Sequence, residues 1–545
     1  MKKLFILIMG SVAMSFGYGQ TLNDAKKELY YERNESARKI LQQMVAAGDR
    51  SPEVLYWLTE TFFRQNQPDS AGVVLNTHAN SILQQEYDKK ESPLLYIAWA
   101  HLLLDSGKTA EAGTLVESVL NEGKYKNEEA LFAAGKAFLD SRNGDVKRAI
   151  ELLENAAKRD KKNPVIFSVL GDAYRKLVDG SNAVINYDRA LNVDPGFAEA
   201  MYKKGKIYKS QNNAEIYLEH FNKALAADSV YTPALYELYF HYFTRDVVRA
   251  KEYLDGYLRH ADPDPQHAYM ITDLQYVSKK YTEAIEGAKA IVDKEGSEAQ
   301  PRIYKLLAYS YAATGDSATA LENIDRYFAK QHDTGLVAKD YALKASLVEK
   351  LVDDKSVAVE WYKKAMNAEK EDKEKLEYMI SLADLQQEAG NRAREAAWRE
   401  KIYLTKPSPT NLDIYKWGLA LYSGKDYQKA DSVFAIYEDK YPEQLHGYLW
   451  RARANALIDT TMEKGLAVAH YKNLIDIAAK DTVKNKAVLL SAYEYLGGYE
   501  ATITKNFPAS LEYFDKLLRL DPDNDDASRN TALLRKWIDD GKGTN

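Results

Sequence analysis

A chain of 545 residues without a single cysteine cannot form disulfide bonds, thiolate metal sites or a lipid-modified N-terminal cysteine. Apolar residues make up 46% of the chain and charged residues 28%, which is typical of a folded protein rather than a disordered one. The formal net charge is −6 and no long basic run occurs, so the chain lacks the electrostatic pattern of a nucleic-acid-binding protein.

Residues 1–19 have the three parts of a secretory signal peptide. Lys2 and Lys3 form the charged start, an apolar core runs from Leu4 to Phe16, and Gly17-Tyr18-Gly19 forms a small-x-small cleavage site. The apolar core is shorter than the roughly 20 residues that cross a bilayer, which argues against the alternative of a membrane anchor. The sequence therefore predicts an exported, soluble mature chain that is periplasmic or secreted and has no transmembrane segment after cleavage.

From Thr21 onward a pattern of two amphipathic helices recurs along the chain. Small residues alternate with aromatic and aliphatic ones at helical spacing, and turn residues separate the helices. The clearest units begin at Pro164, Pro301 and Asn411, and further units begin at Pro52, Pro93, Ala198 and Thr232. In the Ala198 unit, Tyr217 replaces the expected small residue, which predicts a strained helix pair. The array predicts about thirteen antiparallel helix pairs and a final capping helix.

The unit from Pro164 to Pro195 shows how one helix pair is built. Its motif residues, in order, are Phe167, Leu170, Gly171, Tyr174, Ala183, Tyr187, Ala190 and Pro195. Gly171 and Ala183 are small enough to let the two helices approach closely, and Asp179-Gly180 marks the turn between them. A pair of this size cannot bury its own apolar face, so neighbouring pairs must cover it.

These residues match the pattern W-x2-L-G-x2-Y…A-x3-F…P, with Phe167 and Tyr187 at the two aromatic positions, and the chain resembles the tetratricopeptide repeat family over residues 22–522. The resemblance implies an all-α fold, a right-handed superhelical solenoid in which the first helix of each pair, helix A, lines a concave groove. We therefore predict a signal peptide at 1–19, a solenoid at 20–522, and a capping helix and tail at 523–545. Family members mostly bind peptides or proteins in the groove and rarely catalyse reactions.

The resemblance also implies which side chains face the groove, because fixed positions of helix A point into it. The candidate partner-binding residues are Tyr56, Phe63, Tyr202, Tyr236, Phe240, Phe243, Lys305, Tyr309, Tyr415 and Tyr422, accompanied by Glu60, Lys206 and Lys209. An aromatic surface of this kind suits an extended peptide or stacking on a sugar ring. The alternative is that these side chains pack against neighbouring helices or inside a tightly curled superhelix.

One function known in the family can be tested on the sequence. Members that hold the C-terminal carboxylates of chaperones use a lysine followed one helical turn later by asparagine. Here Lys305 is followed by Tyr309 instead. The sequence therefore argues against that carboxylate clamp.

No pattern of catalytic or metal-binding residues stands out. None of the nine histidines belongs to an HExxH pair, and no serine lies in a G-x-S-x-G turn. Asp521, Asp523 and Asp525 begin like a calcium-binding loop, but Asp526 replaces the required glycine and Ala532 replaces the closing glutamate. We therefore predict no enzyme activity, no cofactor and no metal.

The sequence favours a non-catalytic scaffold or adaptor in a bacterial cell envelope that binds a protein or peptide partner in the concave groove. Two alternatives remain open: glycan binding, and a role in assembling secretion or polysaccharide-export machinery. We expect glycan-binding proteins of this architecture to be lipid-anchored and to have long insertions. This chain has no cysteine and only short loops, so protein binding is the first hypothesis.

Overall fold

The computed structural model describes residues 20–79 and 89–542, and the predicted signal peptide lies outside these residues. The chain divides into two compact units, the first ending at Gly287 and the second beginning at Ala288. Every element within the described residues is helical, with 29 α-helices and a few short 3-10 or π-helical turns. None of these described helices is long and apolar enough to cross a membrane.

The first unit contains helices α1 to α15 and the start of α16. They are α1 (Leu22–Tyr30), α2 (Asn34–Ala46), α3 (Pro52–Arg64), α4 (Pro68–Val74), α5 (Pro93–Asp105), α6 (Thr109–Glu122), α7 (Glu128–Asp140), α8 (Val146–Arg159), α9 (Pro164–Lys176), α10 (Gly180–Val193), α11 (Ala198–Ser210), α12 (Ala214–Ala227), α13 (Thr232–Tyr242), α14 (Val247–His260), α15 (Gln266–Val277) and α16 (Tyr281–Glu295). A π-helical turn, Leu75–Ala79, continues α4.

The second unit contains helices α17 to α29. They are α17 (Pro301–Thr314), α18 (Ser317–Lys330), α19 (Ala338–Leu351), α20 (Lys355–Ala368), α21 (Asp372–Glu388), α22 (Arg392–Thr405), α23 (Asn411–Ser423), α24 (Tyr427–Lys440), α25 (Leu445–Ile458), α26 (Val468–Ala478), α27 (Lys486–Tyr499), α28 (Phe507–Leu520) and α29 (Asp525–Asp539). A π-helical turn, Glu500–Thr504, follows α27.

Consecutive helices pack against each other in pairs, and we call the first helix of each pair the A helix and the second the B helix. The predicted all-α solenoid of helix pairs is confirmed. The described residues contain fourteen pairs followed by α29, rather than about thirteen. Units with weak motifs also keep their small contact residues: Ala284 and Ala288 of α16 are both fully buried.

Local sequence explains where the helices of a pair begin. In the fifth pair the side chain of Asn163 accepts a hydrogen bond from the N–H of Val165 at 3.0 Å, and Pro164 occupies the first turn of α9. Asp179 accepts the N–H of Asn182 at 3.0 Å and so caps α10. These side chains satisfy backbone donors that have no partner within the helix.

Glycine in the A helix sets the distance between the two helices of a pair. A Cβ at Gly418 would lie 2.6 Å from Cζ of the buried Phe434, and a Cβ at Gly171 would overlap the ring of Tyr187. Aromatic rings of the B helix thus occupy the space that a side chain would need. This is the physical basis of the glycine in the repeat motif.

Replacement of Gly171 by alanine is expected to destabilise the first unit by about 1–3 kcal/mol, because the buried ring of Tyr187 cannot move away from the new methyl group. Gly113 lies in α6 with open space around its Cβ position, so Gly113→Ala is expected to stabilise by up to about 1 kcal/mol through helix propensity. Hydrogen exchange of α9–α10 and of α6 measures the two effects. Stability changes of equal size and sign for the two substitutions would contradict the explanation that Gly171 is needed for the close approach of α9 and α10.

The strain predicted at Tyr217 is wrong. A Cβ at Gly205 would lie 2.5 Å from Cε1 of Phe221, so α11 and α12 are packed as closely as the helices of the motif pairs. The hydroxyl of Tyr217 is hydrogen-bonded to Nδ1 of His241 at 2.7 Å. The larger side chain therefore fits beside the A helix of the next pair instead of separating its own pair.

The last helix, α29, lies in the segment predicted to cap the solenoid. Its first turn is capped by Asn524, whose side chain accepts the N–H of Ala527 at 2.9 Å. Leu534 is buried, and the rings of Trp537 and Phe507 lie 5.0 Å apart. The apolar side of α29 thus covers the apolar surface that α28 would otherwise expose.

Candidate functional site

The first helix pair of the first unit contacts helices far along the chain. The ring of Tyr30 lies 5.9 Å from that of Phe197 and 5.2 Å from that of Tyr231, and the hydroxyl of Thr232 donates a 2.5 Å hydrogen bond to the carbonyl of Tyr31. These partners belong to the sixth and seventh pairs. The helix pairs of the first unit therefore close into a ring.

The ring surrounds a cavity of about 1300 Å³. Its walls come mainly from α1, α3, α7, α9 and α11, which are all A helices. Its aromatic lining consists of Tyr30, Tyr56, Trp57, Phe63, Phe132, Tyr202 and Tyr231. Three of the candidate groove residues, Tyr56, Phe63 and Tyr202, are thus brought to one cavity.

These three residues differ in how far they are available to a ligand. Tyr56 is only 3% exposed. Phe63 stacks on His101 with ring centroids 3.9 Å apart, and Tyr202 packs edge-on against Tyr231 at 5.6 Å. Each ring therefore has a packing role in addition to facing the cavity.

Lys203 of α11 is the centre of one network of charges in the cavity wall. Its ammonium donates to Asp172 at 2.5 Å and to the hydroxyl of Ser168 at 2.9 Å, and it also contacts Glu199. Burial raises the pKa of Glu199, but Lys203 and Ser168 outweigh burial and hold that pKa below its usual value. Burial lowers the pKa of Lys203, but Asp172 and Glu199 raise it above its usual value.

A second network surrounds Glu60, which the sequence predicted to face the groove beside the candidate aromatic residues. Lys136 of α7 donates to its carboxylate at 2.9 Å, and Nδ1 of His101 lies 3.5 Å away. Burial raises the pKa of Glu60, but Lys136 and His101 outweigh burial and lower it far below its usual value. Glu60 therefore stays ionised although it is only 2% exposed.

Lys206 and Lys209 both bind the carboxylate of Glu237 in the next A helix. Burial raises the pKa of Glu237, and the two lysines lower it below its usual value. The two lysines are thus already engaged by a carboxylate of the chain itself. As in the two networks above, a carboxylate of one A helix is thus paired with lysine from another A helix.

Tyr236 and Phe240 of α13 form what we call the exposed aromatic pair. Tyr236 is 39% exposed and Phe240 43%, and their ring centroids lie 4.7 Å apart. The ring of Phe243 is partly buried and lies 5.6 Å from that of Tyr239. Of the candidate groove residues in the first unit, Tyr236 and Phe240 therefore present the largest apolar surface to solvent.

In the second unit, Lys305 and Tyr309 are joined by Asp340, the fully buried carboxylate of the following A helix. Lys305 binds it at 2.7 Å, and the Tyr309 hydroxyl donates to it at 3.0 Å. In place of an asparagine that would hold a foreign carboxylate, this position carries a tyrosine that binds an internal one.

Tyr415 and Tyr422 of α23 lie beside Trp450 of α25. The ring centroids of Tyr422 and Trp450 are 4.8 Å apart, and those of Tyr415 and Trp450 are 6.4 Å apart. Phe434 stacks on the same tryptophan at 5.9 Å. The second unit therefore carries its own aromatic cluster, with three rings on A helices and Phe434 on the B helix α24.

Sequence reasoning missed the ion-pair networks and the ring closure. The residues concerned are Lys203, Asp172, Glu199, Glu237 and Asp262. A signal for the networks was present, because Asp172 and Lys203 lie 31 residues apart, about one repeat, on successive A helices. No comparable signal marks Asp262, in the loop after α14, which accepts the N–H of Glu35 in α2 at 2.7 Å.

Comparison with known proteins gives matches to repeats of the same kind. Two family models described as tetratricopeptide repeats match residues 97–164 and residues 414–443. Tetratricopeptide repeat protein 21B of Homo sapiens is 23% identical over 154 residues, which is 22% of this chain and 12% of the human protein.

Two solved structures of bacterial proteins are similar over about half of the chain. The C-terminal part of a TPR repeat-containing protein from Cytophaga hutchinsonii is 29% identical, and the match covers 48% of this chain and 98% of that one with a TM-score of 0.33. A tetratricopeptide repeat protein from Parabacteroides merdae is 20% identical with the same coverage and a TM-score of 0.32.

Proposed function

Because the chain is a tetratricopeptide repeat protein, we propose that it is an exported, non-catalytic scaffold of a bacterial cell envelope that binds a polypeptide partner on the A-helix surface of its first unit. Proteins built from this repeat generally bind other proteins and generally are not enzymes. The signal-like segment at residues 1–19 supports export.

The exposed aromatic pair is the observation that carries the proposal. Two large rings keep about two fifths of their surface in solvent here, whereas Tyr56 and Glu60 at the corresponding positions of the second pair are buried. Aromatic side chains are enriched among the residues that dominate protein–protein binding energies. Glu237, which lies between the two rings in sequence, is paired with Lys206 and Lys209, so its carboxylate charge is neutralised within the chain.

The double substitution Tyr236→Ala with Phe240→Ala is expected to weaken partner binding at least about tenfold, because it removes two central aromatic contacts. The helical content should stay nearly unchanged, since both side chains are already partly in solvent. Affinity capture of Gln20–Asn545 from an envelope extract of the native organism, read by mass spectrometry, identifies the partner. Titration of that partner then measures the change in affinity.

A matched control removes exposed apolar side chains from B helices. Ile185 of α10 is 55% exposed and Val248 of α14 is 67% exposed. Ile185→Ala with Val248→Ala therefore removes exposed apolar surface from B helices and leaves the A helices unchanged. This control variant is expected to bind the partner with unchanged affinity. A folded Tyr236/Phe240 double variant that binds as well as the unchanged chain would refute the proposed site. Capture of glycan in place of protein would favour the second hypothesis of the sequence analysis.

A further inference from the structure

The first helix pair, α1 and α2, makes two separate sets of contacts. One set joins it to the second pair: Lys26 binds Glu53 at 2.6 Å, and Arg38 donates to Gln65 at 2.7 Å. The other set joins it to the sixth and seventh pairs and to the loop after α14. In a solenoid each pair normally contacts only its sequence neighbours, so the second set is an addition to the ordinary architecture.

Asp262, in the loop after α14, caps α2 from outside the pair. Its carboxylate accepts the N–H of Glu35 at 2.7 Å and the N–H of Ser36 at 3.2 Å, and the hydroxyl of Ser36 donates to it at 2.5 Å. Arg33, at the position that normally supplies the cap, makes no side-chain cap bond. The start of α2 is therefore capped by a residue more than 220 positions away in the sequence.

The remaining closing contacts join the end of α1 to the sixth and seventh pairs. They include the aromatic contacts of Tyr30 with Phe197 and Tyr231, and the hydrogen bond from Thr232 to the carbonyl of Tyr31. A small buried cluster that contains Tyr31, Ala198 and Tyr231 accompanies them. These closing contacts are distinct from those of Lys26 and Arg38, which join the first pair to the second pair.

We propose that α1 and α2 act as a clasp, which closes the ring reversibly and opens sideways to admit a polypeptide segment into the cavity. A closed ring admits a chain only by its free end, whereas an opened clasp also admits an internal segment. The paired charges of the wall suit a polypeptide, because Lys203 and Lys136 are satisfied internally and leave the aromatic rings to contact side chains. This inference goes beyond the proposed function and does not depend on the exposed aromatic pair.

The absence of cysteine from the sequence permits a direct test. Val165 lines the cavity and is 36% exposed, so Val165→Cys places one thiol inside the ring with little change in volume. The probe is a maleimide attached to a polymer too large to enter the cavity. Its reaction rate with the full chain then reports how often the clasp opens.

In the Val165→Cys background, Asp262→Ala is expected to raise the reaction rate roughly fivefold to tenfold, the effect of losing a helix cap. Asp262→Asn keeps one acceptor oxygen and should give an intermediate rate. Asp264→Ala is the matched control, because Asp264 lies in the same loop and accepts the N–H of Gln266, at the start of α15, at 2.7 Å. It should leave the rate unchanged.

A second thiol position separates clasp opening from general loosening. Val178 is 92% exposed outside the cavity lining, so the rate at Val178→Cys should not respond to Asp262→Ala. Hydrogen exchange should rise in α1 and α2 and stay constant in α9 and α10. Equal polymer-maleimide rates at Val165→Cys with and without Asp262→Ala would overturn the clasp, and so would a parallel rise of exchange throughout the unit.

Discussion

Replacement of Lys203 by methionine is expected to destabilise the first unit by about 3–5 kcal/mol, the usual cost of removing one partner from a buried ion pair. The Lys203 side chain is only 17% exposed, and its ammonium lies between the carboxylates of Asp172 and Glu199. Methionine fills a similar volume but removes the cation that the two carboxylates share. Hydrogen exchange of α9–α11 in the full chain measures the loss in the free energy of local unfolding.

Lys206→Met is the control for this substitution. Lys206 lies three residues further along the same helix, its side chain is 34% exposed, and it shares Glu237 with Lys209. Because Lys209 remains to pair with Glu237, the cost is expected to stay below about 1 kcal/mol. Equal losses for the two substitutions would show that burial of the network at Lys203 is not what stabilises the unit.

The pH dependence follows from the lowered pKa of Glu199, whose usual value is 4.5. In the unchanged chain this group stabilises the folded state above that value, and the contribution is lost as the pH falls through it toward the lower folded pKa. In Lys203→Met the cation is gone, so burial raises the pKa of Glu199 and the carboxyl takes up a proton on mild acidification. The difference in stability between variant and unchanged chain is therefore expected to shrink from about pH 7 to about pH 5. A stability difference that does not change with pH would contradict the conclusion that Lys203 keeps Glu199 ionised.

Phe434→Ala is expected to destabilise α23–α25 of the second unit by about 3–5 kcal/mol, the range for truncating a buried aromatic residue. Phe434 is fully buried, fills the space beside Gly418 and stacks on Trp450. Its loss should also release Trp450, which supports the candidate residue Tyr422. Hydrogen exchange of α23–α25 measures the effect.

Leu404→Ala provides the comparison for Phe434→Ala within the same unit. Leu404 is 72% exposed on α22, so its truncation is expected to change stability by no more than about 0.5 kcal/mol. Exchange in α9–α11 should be unaffected by either substitution, because the stability of a solenoid is built from contacts between neighbouring repeats. A loss of less than about 1 kcal/mol in α23–α25 for Phe434→Ala would contradict this account.

For the aromatic candidate residues, the sequence predicted the position on the A helix but not the exposure of each ring. A motif position places Tyr56 and Tyr236 at corresponding places on their A helices, yet Tyr56 is buried and Tyr236 is 39% exposed. The difference depends on what the neighbouring repeats place opposite each ring, and those residues lie a whole repeat or more away. Whether these residues bind a partner stays a prediction.

The sequence by itself determined the helix pairs of this protein. Their signals are local, since caps such as Asn163 and contact residues such as Gly171 and Tyr187 act within one repeat, and small shifts in pattern do not abolish them. The ring and its cavity were decided only by the tertiary structure. They depend on small rotations that add up over seven successive pairs and bring Asp262 to Ser36, 226 residues away. No single repeat encodes the total rotation, so no local sequence pattern predicts the ring.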